Sequence, residues 1–581
     1  MEMVKVTVDG QTVEVPKGST ILAAAKKAGI KIPTLCYHED LNVKAMCRIC
    51  VVEVVGARTL QSACSQPVSD GMVINTNSPA VRKARKINLE LLLSNHPQDC
   101  LNCVRNQRCE LQALADQLGV RQQRFHSKTR PEYQKDTSTA ALVRDPDKCI
   151  LCRRCVEVCH EVQSVGAIAP ANRGINTQIL PAGGVDLNDV ACVQCGQCSL
   201  VCPVGAIYEQ DHTERVWAAL ADPEKHVVVQ TAPAIRVSIG EEVGLEPGEV
   251  TTGKLVAALR RLGFDRVFDT DFSADLTIME EGHEFIERFT KGGVLPMITS
   301  CSPGWIKFIE HFYPEYLDHL STCKSPQQMF GAVAKTYYAQ KAGLDPKNIY
   351  VVSIMPCTAK KFECGRPEMS ASGYPDVDAV LTTRELGKML RQAGIVFSEL
   401  PEEEYDDPFG ITTGAGVIFG ASGGVMEAAL RTVYEVVTKE TLPSVDFTAV
   451  RGLEGIKEAE IDLKGTKVKV AVANGLGNAR KLMELIKAGK ADYHFIEIMC
   501  CPGGCIGGGG QPIPTTNAIR KKRMEAIYKA DAGLPLRKSH ENPAIKTLYE
   551  EFLGKPLGEK SHQLLHTHYT KRGKYPQKSA C

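Results

Sequence analysis

Several things are scarce in this 581-residue chain, and each scarcity removes a class of function. No apolar run approaches the roughly 18 residues of a membrane-spanning helix, so no span is expected. Neither sign of charge is in excess. The 69 Lys and Arg offset 68 Asp and Glu, for a net charge of +1, whereas nucleic-acid or anionic-membrane binding rests on a basic surplus. The opening stretch, MEMVKVTVDG, has neither the apolar core of a secretion signal nor twin arginines, which predicts a cytoplasmic location. No glycine-rich nucleotide fingerprint follows a first strand, so no NAD or flavin site is evident within the chain.

Cysteine is what the chain has in quantity: 23 residues, of which fifteen lie between Cys36 and Cys202 and none between there and Cys301. At 43% hydrophobic and 24% charged, the chain can bury a real core, and its length suggests three or more domains at about 150 residues each. Small secreted domains use Cys as disulfide staples. Dense, regularly spaced Cys in a long chain without an export signal read instead as metal ligands.

Residues 3–15 alternate polar and apolar around Asp9-Gly10, a hairpin signal. Ser19 or Thr20 then caps ILAAAKKAG, a short helix that Gly29 can end. Hairpin followed by helix suits a small β-grasp fold. Residues 81–125 read as helical and polar. Residues 126–140 are pattern-free and read as a linker. Residues 141–210 are short, Cys-rich and approximately repeated. From about 226, the β-rich runs VVVQTAPAI, GGVLPMITS, IYVVSIMPC, VKVAVANG and YHFIEIMC alternate with the helical stretches GKLVAALRRLGF, ELGKMLRQAG and ARKLMELIKAGK. That is an α/β pattern with a mostly parallel sheet. From about 538 the chain reads as a polar tail with helical pieces.

Three Cys constellations precede this α/β half. Cys36, Cys47, Cys50 and Cys64 form a tight loop with a remote last Cys, similar to plant-type [2Fe-2S] spacing but with a longer first gap. A structural zinc site is the alternative, and the β-grasp context favours iron. His96, Cys100, Cys103 and Cys109 suit a [4Fe-4S] cube with one neutral ligand, which should raise its potential; a zinc site on the same three thiolates and imidazole is the alternative. Cys149, Cys152, Cys155 and Cys159 are followed by Cys192, Cys195, Cys198, Cys202 and Pro203. This is the bacterial two-cluster run, in which the fourth Cys of each half serves the other cube. One cube takes Cys149, Cys152, Cys155 and Cys202, and the other Cys192, Cys195, Cys198 and Cys159. Such a train has no structural need and reads as an electron conduit. So far the chain resembles the N-terminal part of the large iron–sulfur subunit of respiratory NADH dehydrogenase, certain formate dehydrogenases and iron-only hydrogenases.

Three stretches in the second half decide among these: Thr299-Ser300-Cys301-Ser302-Pro303-Gly304-Trp305, Met355-Pro356-Cys357-Thr358-Ala359-Lys360-Lys361-Phe362-Glu363, and Glu497-Ile498-Met499-Cys500-Cys501-Pro502-Gly503-Gly504-Cys505 running into a glycine run. Each follows a predicted strand, at the edge where open α/β sheets place their sites. They closely resemble the three signature motifs of the [FeFe]-hydrogenases, and the likeness covers essentially residues 1–570. Molybdenum or tungsten formate dehydrogenases would need a different, longer C-terminal half.

The resemblance implies reversible hydrogen activation, 2H+ + 2e- ⇌ H2. It implies an H-cluster, a [4Fe-4S] cube joined through a Cys thiolate to a two-iron unit with CO, cyanide and azadithiolate, beside one [2Fe-2S] and three accessory [4Fe-4S] clusters, or about 20 Fe per chain. By position, Cys357, Cys501 and Cys505 match cluster ligands, with Cys505 as the bridge. Lys360 matches the donor to one cyanide. Pro233, Gln327, Met355, Phe419 and Met499 match the lining of the two-iron pocket, places that are ordinary core in other proteins. Ala234 stands where many relatives carry a Ser that bonds the other cyanide. Cys301, Glu281, Ser321, Glu284 and Arg288 match a proton relay. Glu281 and Glu284, three apart, share a helix face; a solvated acidic face is the alternative.

In one place the sequence departs from the family pattern. Typical relatives have two adjacent Cys in the first motif, a shuttle and a ligand, whereas here Cys301 is followed by Ser302. Cys323 is expected to supply the missing thiolate, with ligation by Cys301 itself as the competing idea. Cys364, Cys500 and Cys581 receive no role. The fold class implied is multidomain α+β and α/β: a β-grasp [2Fe-2S] domain (1–80), a small helical [4Fe-4S] domain with one His and three Cys ligands (81–125), a two-cube ferredoxin domain (140–210), a two-lobed α/β H-cluster domain (211–537) and a tail similar to the iron hydrogenase small subunit (538–581).

The Ser302 and Cys323 combination resembles the hydrogen-converting subunits of NAD(P)-linked, electron-bifurcating hydrogenases. It implies flavin- and Fe-S-containing partner subunits, ferredoxin and maturation proteins as partners. The alternatives are a stand-alone ferredoxin-dependent hydrogenase, a non-catalytic electron-transfer or scaffold relative, which would lack the Lys360 and Cys505 features, and a sensory hydrogenase, which would carry a signalling domain.

Overall fold

The computed structural model describes residues 2–127 and 132–575. Met3–Val8 and Gln11–Pro16 pair antiparallel across the Asp9-Gly10 turn, as the alternation requires. Val4, Val6 and Val8 point into a small core beneath the helix Ile21–Lys27. Thr20 caps that helix, its hydroxyl accepting from the Ala23 N–H at 3.2 Å. Three further strands complete a five-stranded sheet. The helices Pro79–Leu93 and Glu110–Gln117 flank the His96–Cys109 loop.

The expected linker is only partly one. Residues 128–131 lie outside the described set, but Asp136 is buried and pairs with Arg144 through two backbone hydrogen bonds of 2.9 Å. Its carboxylate accepts from the Leu187 N–H at 2.9 Å, which ties the segment to the insertion between the two Cys runs. That insertion contains the hairpin Ile168–Ala171 and Gln178–Pro181.

The catalytic half holds two four-stranded sheets. In the first, Arg266–Asp269, His226–Thr231, Ile349–Ile354 and Ala379–Leu381 are all parallel. In the second, Met297–Ile298, Phe495–Met499 and Thr466–Asn474 are parallel, and Ile456–Leu463 joins antiparallel. The inner parallel strands are near-continuous buried runs because helices cover both faces, whereas the antiparallel edge strand Ile456–Leu463 alternates charged, exposed positions with buried ones. The GGVLPMITS run yields only the two-residue strand Met297–Ile298.

The 22-residue helix Thr270–Lys291, about 33 Å long at 1.5 Å per residue, contributes apolar residues to both main cores: Phe272 and Leu276 to one, Ala274, Ile278 and Phe285 to the other. Asp269 caps its start, and Gly292 ends it at a left-handed φ of 78°. Arg236 bridges Asp269 (2.9 Å) and Asp271 (2.8 Å), which fixes the Pro233–Val237 turn to this helix.

The segment after 538 is not a polar tail. Ile545, Leu548, Leu553, Leu564 and Leu565 enter the core of the first sheet, and His566 forms a β-bridge with Cys323. Their helical spacing makes an apolar stripe that mean polarity conceals.

Candidate metal centres and active site

Each N-terminal ligand set comes together. Cys36 and Cys47 exchange backbone N–H to sulfur bonds at 3.4 Å. A hydrogen bond from the Cys64 thiol holds the Cys50 thiol low, and the fields of Cys36 and Cys47 also act on Cys64. His96, Cys100, Cys103 and Cys109 line one small cavity, and Cys149, Cys152, Cys155 and Cys202 line another. Cys198 is raised first by burial and then by Cys195, Cys192 and Cys159. The crossed assignment of the fourth cysteines is thus the arrangement the fold presents. Every described Cys is a free thiol.

The catalytic cavity opens where strands of both sheets end. Thr231 leads to Pro233, Ile354 to Met355 and Cys357, Ile298 to Cys301, and Met499 to Cys501. One wall set includes Cys301, Cys357, Cys501 and Cys505, with Lys360, Pro233, Gln327, Met355, Phe419 and Met499. Ala234 is buried one position behind Pro233 and is absent from the wall. Cys195 of the ferredoxin run lies on the same wall.

That run is docked by polar contacts to two of the motif loops. Thr358 donates to the Gln194 carbonyl (2.8 Å), and Gln197 donates to the Gly507 carbonyl (2.9 Å). A Cβ at Gly509 would stand 2.2 Å from the Cys195 carbonyl oxygen, so only glycine permits this approach.

Lys360 is buried, 3.3 Å from the Ser325 hydroxyl and 3.6 Å from Glu363. Glu363 and the neighbouring thiols hold its ammonium above its ordinary range against the opposing effect of burial. Gln327 donates to Glu363 at 3.0 Å, and its side-chain amide oxygen Oε1 is buried without a hydrogen-bond partner. Three convergent thiols, a buried cation and an unsatisfied acceptor suit an anionic iron–sulfur group with polar ligands, so the residues present fit an H-cluster.

The relay residues are buried, not a solvated face. Glu281 is fully enclosed. Burial first, then Glu284, pushes it up to about 8. Ser321 donates to Glu284 at 3.0 Å, and Arg288 binds the other Glu284 oxygen at 2.6 Å while keeping 15% of its side chain exposed. Burial and the Glu281 charge raise the Cys301 thiol.

Cys323 does not reach the cavity. Its sulfur lies 3.8 Å from Glu284 Oε2 and is absent from the catalytic wall. The β-bridge to His566 fixes its backbone, and its carbonyl accepts from Ser300 at 2.7 Å. The expectation that Cys323 supplies the missing ligand is therefore corrected. Cys364 points to the Lys361 carbonyl at 3.2 Å, and Cys581 lies outside the described residues. Sequence reasoning gave no role to Glu363, to Gln163, which reaches the Cys195 sulfur at 3.5 Å, or to Cys500, which is on the wall. For Cys500 the available signal was its position beside Cys501.

Residues 225–509 match the family described as iron only hydrogenase large subunit, C-terminal domain, and 517–572 match the iron hydrogenase small subunit. Residues 1–79 match a 2Fe-2S cluster binding domain, 85–124 the NADH-ubiquinone oxidoreductase-G iron-sulfur binding region, and 148–206 a 4Fe-4S dicluster domain. The chain is 54% identical to the NADP-reducing hydrogenase subunit HndD of Solidesulfovibrio fructosivorans, over 98% of this chain and 100% of that one. It is 43% identical to iron hydrogenase 1 of Clostridium pasteurianum, with the same coverage. A solved [FeFe]-hydrogenase HydA1 variant from Chlamydomonas reinhardtii superposes with a TM-score of 0.57 at 47% identity, covering 63% of this chain and 100% of that one. The cytosolic iron-sulfur assembly component 3 of Mus musculus is more distant, at 31% identity over 70% of this chain and 88% of that one. Among the described residues no helix is long and apolar enough to cross a membrane. With a thiol-lined cavity at the meeting point of two sheets and cluster domains leading up to it, the chain belongs to the iron-only hydrogenases and is an [FeFe]-hydrogenase with its own iron–sulfur chain.

Proposed function

We propose that this chain is the hydrogen-converting subunit of an assembly that exchanges electrons with NAD(P)H and ferredoxin through flavin- and Fe-S-containing partners. The observation that carries the electron route is Cys195, a ligand candidate of the ferredoxin run, on the same cavity wall as Cys357, Cys501 and Cys505. The full-length likeness to an NADP-reducing hydrogenase subunit and the match at 85–124 support a multi-subunit electron source.

The combination of protons and electrons to H2 is the chemistry an H-cluster supplies when bound. Cys357, Cys501 and Cys505 would hold that group, and Lys360 would offer a charge-assisted donor to an anionic ligand on it. Met355, Met499, Phe419 and Pro233 give the cavity an apolar lining. Arg288 and Glu284 stand at the outer end of a proton route that continues through Ser321 and Glu281 to the Cys301 thiol. With a pKa of about 8, Glu281 is protonated at neutral pH and close enough to solution pH to give and regain a proton.

The test is purification of the native assembly. Co-isolation of a flavin-bearing subunit, with H2-driven reduction of NAD(P) and ferredoxin, is the expected result. A chain that purifies alone and evolves H2 from reduced ferredoxin at full rate would establish the stand-alone reading instead. Infrared bands in the metal-carbonyl and cyanide region report the bound group directly.

A further inference from the structure

With Ser302 in the first motif and Cys323 turned away, Cys357, Cys501 and Cys505 provide three thiols for a cube with four iron corners. We infer that Cys500 is the fourth thiolate ligand of the H-cluster cube. The inference rests on the hydrogenase reading above and concerns only which side chain completes its ligand set.

The cavity has two chemically different ends. Cys301, Cys505, Phe419 and Met499 pack with one core. Cys500, Cys501, Cys195 and Trp305 pack with another, on the side facing the ferredoxin domain. Cys301 lies in the fields of Glu281, Glu497, Cys505 and Lys360, with Glu281 of the proton route acting most strongly after burial. Cys500 instead has Cys195 and Cys501 as its partners. The cube, as the electron acceptor, belongs at the ferredoxin end, and Cys500 is the unassigned thiol there.

The neighbourhood of Cys500 has room for its sulfur. A Cβ at Gly304 would come within 2.6 Å of Cys500 Sγ, so the first-motif glycine leaves the sulfur its space. The Ser302 hydroxyl accepts from the Cys500 backbone N–H at 3.1 Å. Serine at 302 and cysteine at 500 are thus directly coupled, the hydroxyl fixing the loop from which the thiol projects. Gln163 approaches the Cys500 sulfur at 3.8 Å and the Cys195 sulfur at 3.5 Å, while its carbonyl accepts from Leu476 N–H at 3.0 Å. A donor held in that position suits two anionic thiolates, one from each of two adjacent clusters. Cys195 already belongs to the ferredoxin cube, which leaves Cys500 for its neighbour.

The test uses the full chain carrying its clusters but not the two-iron unit, so that the cube is read by iron content and electron paramagnetic resonance, without activity. Wild type should hold about 18 Fe. Cys500→Ala should lose about four of these, together with the cube's signal. Cys323→Ala should keep both. Ser302→Cys placed in the Cys500→Ala background should restore the cube by returning a thiolate to the same corner, which separates ligation from a folding defect. Full iron and an unchanged spectrum in Cys500→Ala overturn the inference, as does loss of the cube in Cys323→Ala or a Ser302→Cys rescue that fails. A wild-type chain that holds the cube and yields no H2 after loading would overturn the hydrogenase reading and leave the ligand assignment standing.

Discussion

Before residue 210, each cluster draws most of its ligands from positions a few residues apart, and hairpins or short helices are enough to present them. Cys149, Cys152 and Cys155 lie within one loop and turn, and a single return of the chain brings Cys202 to them. In the catalytic half, Cys357 follows a strand of one sheet, and Cys501 and Cys505 follow a strand of the other. There a ligand set exists only when both sheets and the helix between them have formed. The N-terminal sites should consequently be separable and the catalytic site indivisible.

The largest expected effect breaks that indivisibility. Cys501→Ala should abolish hydrogen turnover and infrared cyanide bands while the signals of the accessory clusters persist. Loss of the accessory signals as well would mean that the two regions are not separable.

Next in size is the proton route, which belongs to the catalytic half alone. Glu281→Gln should lower hydrogen evolution by about 10²–10⁴-fold with iron content unchanged. The pH dependence has a definite sign. Burial and Glu284 raise the Glu281 carboxyl to about 8, so it is protonated below that pH and loses its proton above it. Hydrogen evolution should therefore decline above about pH 8, and Glu284→Gln, which removes the like charge, should move that decline to lower pH. A profile that does not move in Glu284→Gln would exclude Glu281 as the titrating group.

The third prediction concerns stability. Leu548 is fully buried in the core of the first catalytic sheet. Leu548→Ala should destabilise the catalytic unfolding transition by about 2–5 kcal/mol and leave the N-terminal transition in place. An unmoved catalytic transition would return the C-terminal segment to the status of an appendage.

The same contrast explains what could be read from the sequence. The accessory ligand sets were legible because most of their geometry is local, and the two-cluster spacing carries the crossed fourth ligands with it. Catalytic strands were legible as apolar runs, and the three motifs marked their ends. The fourth corner of the cube was not. Cys323 and Cys500 are equally plausible by residue type, and only strand register decides between them. The β-bridge between Cys323 and His566 turns one toward Glu284, and the Ser302 contact holds the other on the cavity. The C-terminal segment was misread because its buried leucines are dispersed among charged residues, so that composition masked a helical stripe. The acidic stretch MEEGHEFIER reads as surface until both cores close over it.

The smallest effect probes the far end of the conduit. His96 lines the cavity shared by Cys100, Cys103 and Cys109, and a neutral imidazole leaves that cube less negative than four thiolates would. His96→Cys should lower the midpoint potential of this cluster in a redox titration and make it a poorer resting place for an electron entering from outside. Turnover driven by a small dye that reduces the later cubes directly should stay unchanged, because no group near His96 lines the catalytic cavity. Turnover driven by a protein donor docking at the N-terminal region should slow. If dye-driven turnover fell as far as protein-driven turnover, the N-terminal and catalytic regions would be coupled by more than electron flow, and the separability argued from their ligand sets would fail.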